Sequence, residues 1–156
     1  MPYLRLDVPN RYPLRVKRDL ALRISHLYAE IMQTTPDLVA IGFNELNEGG
    51  LWFGGKHEPV PAAVLSCAIR RGRPPEQRAR LADALLTACA EALDLDPTQV
   101  VVEFSYHAGE DIYRKMIIEG VLRGGLGRDW SPEETHTPLM ESLRKAASEG
   151  TLTTDP

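Results

Sequence analysis

Two groups of residues in this chain have types and spacing suited to chemistry. The first is the residue after Met1, a proline. Initiator methionine is normally trimmed when a small residue such as proline follows, which leaves a secondary amine at the terminus. A terminal amine has a reference pKa of about 7.7 to 8.0, and the amine of proline is intrinsically more basic. Burial disfavours its cation, and a nearby arginine does the same. When neutral, Pro2 is a general base that takes a proton from carbon next to a carbonyl and returns it elsewhere in a conjugated system, which is a keto–enol tautomerisation. When protonated, it is a general acid. The second group is Arg70, Arg71 and Arg73 in the segment AIRRGRPPEQ, residues 68 to 77. Guanidinium groups hold a carboxylate with paired N–H donors and stabilise negative charge as a dienolate develops. Arg71, between the other two, is expected to be exposed.

These residues must be positioned by repeated elements. Sliding the chain against itself by 61 residues, without a gap, matches Leu4 to Leu65, Pro13 to Pro74, Leu20 to Leu81, Ala21 to Ala82, Ala29 to Ala90, Glu30 to Glu91, Pro36 to Pro97, Val39 to Val100 and Phe43 to Phe104. A repeat this long is a whole structural unit used twice. In each unit the apolar period changes from about two to about 3.6 and back, the mark of strand, helix, strand. Leu4, Leu6 and Val8 alternate with polar neighbours, as Leu65, Cys67 and Ile69 do. Leu20, Ile24, Leu27, Tyr28 and Ile31 then fall at helical spacing, and Leu81, Leu85, Ala88, Cys89 and Ala92 repeat it. Pro13, Pro74 and Pro75 open the helices, and Pro36 and Pro97 lie past their ends. Residues 38–45 and 100–106 return as strands.

A strand joined through a helix to a parallel neighbour is a right-handed crossover. The expected fold class is therefore α/β (α+β), with two fused β-α-β units forming a four-stranded sheet and both helices on one face. The other face needs cover, from oligomerisation or from the tail. Residues 1–156 are read as a single domain, with units at 2–61 and 62–122 and a tail at 123–156. In the remainder, residues 112–122 are expected as a short helix and 132–148 as a terminal helix, with a frayed end from Glu149 onward. NEGGLWFGGK, with Trp52 at its centre, reads as a hairpin-like segment.

The register is also informative about the site. Pro2 aligns with Ala63, which has no free amine, and Arg73 aligns with the uncharged Tyr12. Each unit keeps half of a site, so one amine and one arginine cluster per chain are expected to meet in a shared pocket.

The processed proline, the duplicated unit of about 60 residues and the basic motif opening the second unit together resemble the tautomerase superfamily, over roughly residues 2 to 120. The similarity is greatest to its fused-unit members of the cis-3-chloroacrylic acid dehalogenase type, whose single chain equals two 4-oxalocrotonate tautomerase subunits. By that resemblance Pro2 takes the place of the catalytic amine, and Arg70 and Arg73 those of two carboxylate-binding arginines. A homotrimer of fused chains, working without a cofactor, is implied. The same reading puts Tyr28 near the dehalogenases' water-orienting histidine, Glu103 near their tyrosine and Arg114 near their catalytic glutamate. Tyr28, Glu103 and Arg114 are therefore candidate substrate-binding positions, with Glu110 or Asp111 able to supply the carboxylate after a loop shift. The third arginine of 4-oxalocrotonate tautomerase falls near Ala40 or Val101. The resemblance thus implies a tautomerase or isomerase of a small 2-oxo or enol carboxylic acid. The alternative is a hydratase, dehalogenase or decarboxylase of a three-carbon acid such as cis-3-chloroacrylate or malonate semialdehyde, and a third reading is a binding or structural trimer.

Bulk composition agrees with a small enzyme. The 156 residues are 43% hydrophobic and 26% charged, with a net charge of −4, which gives no electrostatic ground for nucleic acid. Cys67 and Cys89 lack CxxC spacing, and His26, His57, His107 and His136 lack a metal-ligand pattern, so no metal is expected. Tyr28 and Trp52 also suit core or interface packing. No stretch has signal-peptide or membrane-span character, so a cytoplasmic, membrane-free protein is expected.

Overall fold

The computed structural model describes residues 2–54, 58–108, 116–118, 121–123, 129–132, 141, 145, 148, 149, 153 and 154. Alternating side chains at the head of each unit form strands β1 (Tyr3–Val8) and β5 (Ala63–Arg70). The 3.6-residue stripes form helices α1 (Leu14–Ile31) and α2 (Pro75–Leu93), whose starts are 61 residues apart. Pro36 and Pro97 each open a 3-10 turn that delivers the chain into β2 (Ala40–Glu45) and β6 (Val100–His107).

The two units are superimposable in their pairing. β1 runs parallel to β2 from Tyr3 beside Ala40, and β5 runs parallel to β6 from Ala63 beside Val100, so in both the partner lies 37 positions on. β1 and β5 join the units antiparallel, with Tyr3 opposite Ala68 and Arg5 opposite Ser66. Because Arg5 and Ser66 are also repeat equivalents, a pseudo-twofold axis passes between them. The sheet order is β2-β1-β5-β6.

Leu4, Leu6 and Val8 face the same way as Leu65, Cys67 and Ile69, against Leu20, Ile24 and Tyr28 of α1 and Leu81, Leu85 and Cys89 of α2. Side chains of this size contribute about 1.5–3 kcal/mol each when fully buried. Burial pushes the thiols of Cys67 and Cys89 up to about 12. Since the thiolate is the reactive form, neither cysteine is expected to react with an aromatic disulfide reagent in the native protein at mildly alkaline pH. Both should react within the dead time after denaturation, as followed by absorbance.

The opposite face of the sheet carries Tyr3, Arg5, Glu103 and Ser105, all exposed, with Val101. Asn44 donates to Asp7 at 2.9 Å, and Ser66 donates to Glu103 at 2.5 Å.

Beyond the four-stranded sheet, β3 (Trp52–Phe53) of the NEGGLWFGGK segment pairs antiparallel with β4 (Val60–Pro61), which lies beyond that segment. Two expectations are corrected. Residues 112–122 do not form a helix throughout: β7 (Met116–Ile118) and β8 (Val121–Arg123) pair antiparallel, as short apolar runs with β-branched residues can do. The end of the chain is not frayed at Thr153–Thr154, which forms β9 against β7. Of the expected terminal helix, Glu141, Lys145 and Ser148 are helical.

Candidate functional site

The register of β1 and β5 determines what lies beside Pro2. Tyr3 is opposite Ala68, so Pro2, one step back along the chain, lies at the end of β1 nearest Ile69 and Arg70. The carbonyl of Pro2 accepts from the Ala40 amide at 3.1 Å, which anchors it to β2 as well. Pro2 is half-buried. On the far side of β5, Arg70 stands beside His107 of β6, and the Arg71 amide donates to the His107 carbonyl at 3.0 Å.

The chain after β5 turns back over the end of α1. Gln77 donates to the carbonyl of Ile31 at 2.7 Å, and Arg73 Nη1 donates to that of Met32, both carbonyls being among those a helix end leaves without intrahelical donors. Arg78 Nη1 donates to the Arg73 carbonyl at 2.7 Å, and the Arg78 guanidinium carbon lies 5.4 Å from the centroid of the Tyr106 ring. Arg73 is only 8% exposed. Tyr28 lies beneath it: burial pushes its phenol far above the ordinary value, while the guanidinium of Arg73, and less strongly that of Arg70, draws it down. The phenol stays neutral, a hydrogen-bonding group and not a base.

The repeat explains why Arg73 sits where it does. Its equivalent, Tyr12, makes the matching reach, donating from its hydroxyl to the carbonyl of Leu93 at the end of α2 at 3.3 Å. Likewise Lys17 and Glu45, paired at 3.1 Å, occupy the positions of Arg78 and Tyr106. One end of the sheet therefore holds Pro2 with arginines, and the other holds Ala63 with Tyr12 and an ion pair.

Among the described residues, one expected site residue is not brought to Pro2. Glu103 lies opposite Ser66, near the pseudo-twofold axis on the open face, four residues or about 13 Å along β5 from Arg70. Arg114, Glu110 and Asp111 lie outside the described residues. Arg71 is exposed as expected. Two neighbours of the cluster were not singled out by sequence. His107 was traceable, since the 37-residue pairing offset of the first unit, applied to Arg70, leads to it. Trp130, which packs on Arg73, lies in the tail, where no repeat or periodicity points to it.

Gly72 makes the turn between Arg71 and Arg73 possible. Its φ of +98° is left-handed, and a Cβ there would meet the Trp130 carbonyl oxygen at 2.0 Å. Gly72→Ala is expected to cost about 1–3 kcal/mol from the backbone conformation alone, with the clash adding to it, read as a lower melting temperature.

A duplicated β-α-β chain with a pseudo-twofold axis between its units is the architecture of the tautomerase class. The chain belongs to the macrophage migration inhibitory factor (MIF) family, whose model matches residues 1–112, and so to that superfamily. Among solved structures it is similar to N1, a member of the cis-3-chloroacrylic acid dehalogenase (cis-CaaD) family, at 24% identity and TM-score 0.68, over 94% of this chain and 99% of that one. It is also similar to native fused 4-OT, at 22% identity and TM-score 0.60, over 70% and 90% of the two chains. A macrophage migration inhibitory factor of Toxoplasma gondii matches at 17% identity and TM-score 0.62, over 70% and 93%. No curated protein sequence matches significantly. Among the described residues, no helix is long and apolar enough to cross a membrane.

Proposed function

We propose that the chain is a cofactor-independent tautomerase in which the Pro2 amine is the general base and Arg70 and Arg73 hold the carboxylate of a small 2-oxo or enol acid. The observation that carries this reading is the antiparallel register of β1 and β5, which sets Pro2 beside the strand end bearing Arg70. The loop after β5 carries Arg73 over the end of α1, the helix in which Tyr28 is buried. The two guanidinium groups disfavour the Pro2 cation and attract the substrate anion. The amine removes the proton from carbon, the arginines stabilise the enolate as its charge develops, and the protonated amine returns the proton to the far carbon. Neutral Tyr28 donates a hydrogen bond without competing for the proton.

The sheet face bearing Tyr3 and Val101 is the surface through which we place the chain in a homotrimer, and fused 4-OT proteins of this fold form asymmetric trimers. Glu103 on that face then belongs to the subunit contact. The cytoplasm is the compartment consistent with two unpaired buried cysteines.

The test is ketonisation of phenylenolpyruvate by Met-free protein, followed by loss of enol absorbance. A second reading, a hydratase, dehalogenase or decarboxylase with protonated Pro2 as the acid, draws support from the N1 comparison, which extends through the tail where the fused 4-OT comparison does not. It is distinguished by a cationic amine at neutral pH and by turnover of cis-3-chloroacrylate or malonate semialdehyde in place of phenylenolpyruvate.

A further inference from the structure

The tail returns one aromatic side chain to the candidate site. The Trp130 amide donates to the carbonyl of Arg71 at 2.8 Å, and its ring lies 4.3 Å from the Arg73 guanidinium carbon. Trp130 is itself buried, at 8% exposure. Gly72, between the two arginines, is shaped to admit it, because any side chain there would strike the Trp130 backbone.

This contact has a directional consequence. A guanidinium recognises a carboxylate in its own plane, through two parallel N–H donors, and a ring stacked on its face blocks the perpendicular approach while leaving the edge accessible. The Met32 carbonyl occupies one donor direction of Arg73, and the carbonyl of Arg73 is pinned by Arg78. The Trp130 ring over the guanidinium carbon further restricts rotation of the guanidinium plane about the side-chain axis. Tyr12, the repeat equivalent of Arg73, has no charge to orient. Trp130 comes from the segment after residue 112, where the match to the family model ends.

We propose that Trp130 is a positioning residue for Arg73: stacked on the guanidinium, it sets the plane in which the substrate carboxylate is held. The proposal rests on the reading of Arg73 as a carboxylate-binding residue and extends the functional unit of the chain into the tail.

Two measurements test it. In a Trp52→Phe protein, Trp130 is the single tryptophan, and its fluorescence is followed while malonate, a dicarboxylate transparent to the excitation, is added. A saturable change is expected, and it should disappear when Arg73→Met is added. In the second, Trp130→Leu is expected to raise KM for phenylenolpyruvate several-fold, up to about tenfold, the range set by a partly desolvated cation–π contact. The same variant should leave kcat little changed, and Trp130→Phe should restore KM. A residue that only stabilised the fold would lower the melting temperature of both variants without this split. Unchanged KM in a folded Trp130→Leu protein, or Trp130 fluorescence indifferent to malonate, overturns the proposal. If Trp130→Leu does not fold, the malonate titration decides alone. If wild type does not ketonise phenylenolpyruvate, the tautomerase reading fails, whereas the malonate titration still decides whether Trp130 and Arg73 form a carboxylate site.

Discussion

Replacing Pro2 by alanine is expected to lower kcat/KM for phenylenolpyruvate ketonisation by about 10²–10⁴-fold, the range of a general base, with little change in melting temperature. The loss falls on catalysis because Pro2 is half-buried at the start of β1 and is not among the core residues. Alanine still allows Met1 to be trimmed, so a primary amine remains near the site, less restrained than the ring nitrogen of proline. Pro2→Leu is the stricter variant, since a large second residue retains Met1 and takes the terminal amine away from the position of Pro2. It is expected to lie at the lower end of residual activity. The pH profile of wild type carries the sign of the mechanism. A base must be neutral, so kcat/KM should rise as pH climbs through the amine pKa and then level off, whereas an acid would give the reverse limb.

Arg73→Ala is expected to raise KM by about 10–100-fold, since hydrogen bonds to a charged group contribute about 1.5–3 kcal/mol. It should also lower stability, because the Met32 carbonyl loses its donor and Trp130 loses the group it stacks on. Arg70→Ala should share the KM effect with a smaller drop in melting temperature, because Arg70 is half-buried at a strand end and Arg73 is enclosed against α1. Steady-state kinetics and thermal melts of the two variants separate the roles. Arg73→Lys retains charge without the planar fork, so it should recover stability better than KM.

The core of the fold was legible because the duplication wrote it twice. A shift of 61 residues places Leu14 on Pro75 and Tyr3 on Val64, and the helix starts and the parallel pairings of the two units obey that shift. Errors begin where the repeat ends. Residues 116–118 and 121–123 are short apolar runs whose period cannot distinguish strand from helix, and only their mutual pairing makes them strands. Thr153 and Thr154 become a strand through contact with β7, which no local pattern announces. The site divides in the same way. Pro2 and Arg70 follow from strand register, and Arg73 from the loop opening α2. Glu103 was placed by ungapped analogy with a family tyrosine, and the parallel pairing with Ser66 carries it to the middle of the sheet. Trp130 reaches Arg73 through tertiary packing alone.

The most direct test of the account is a ¹⁵N NMR titration of the Pro2 amine in protein lacking Met1. The expected result is an amine that is largely neutral at pH 7, well below the ordinary range for a chain terminus, in a protein that ketonises phenylenolpyruvate. An amine still cationic at that pH, with no ketonisation, would contradict the assignment of Pro2 as a base.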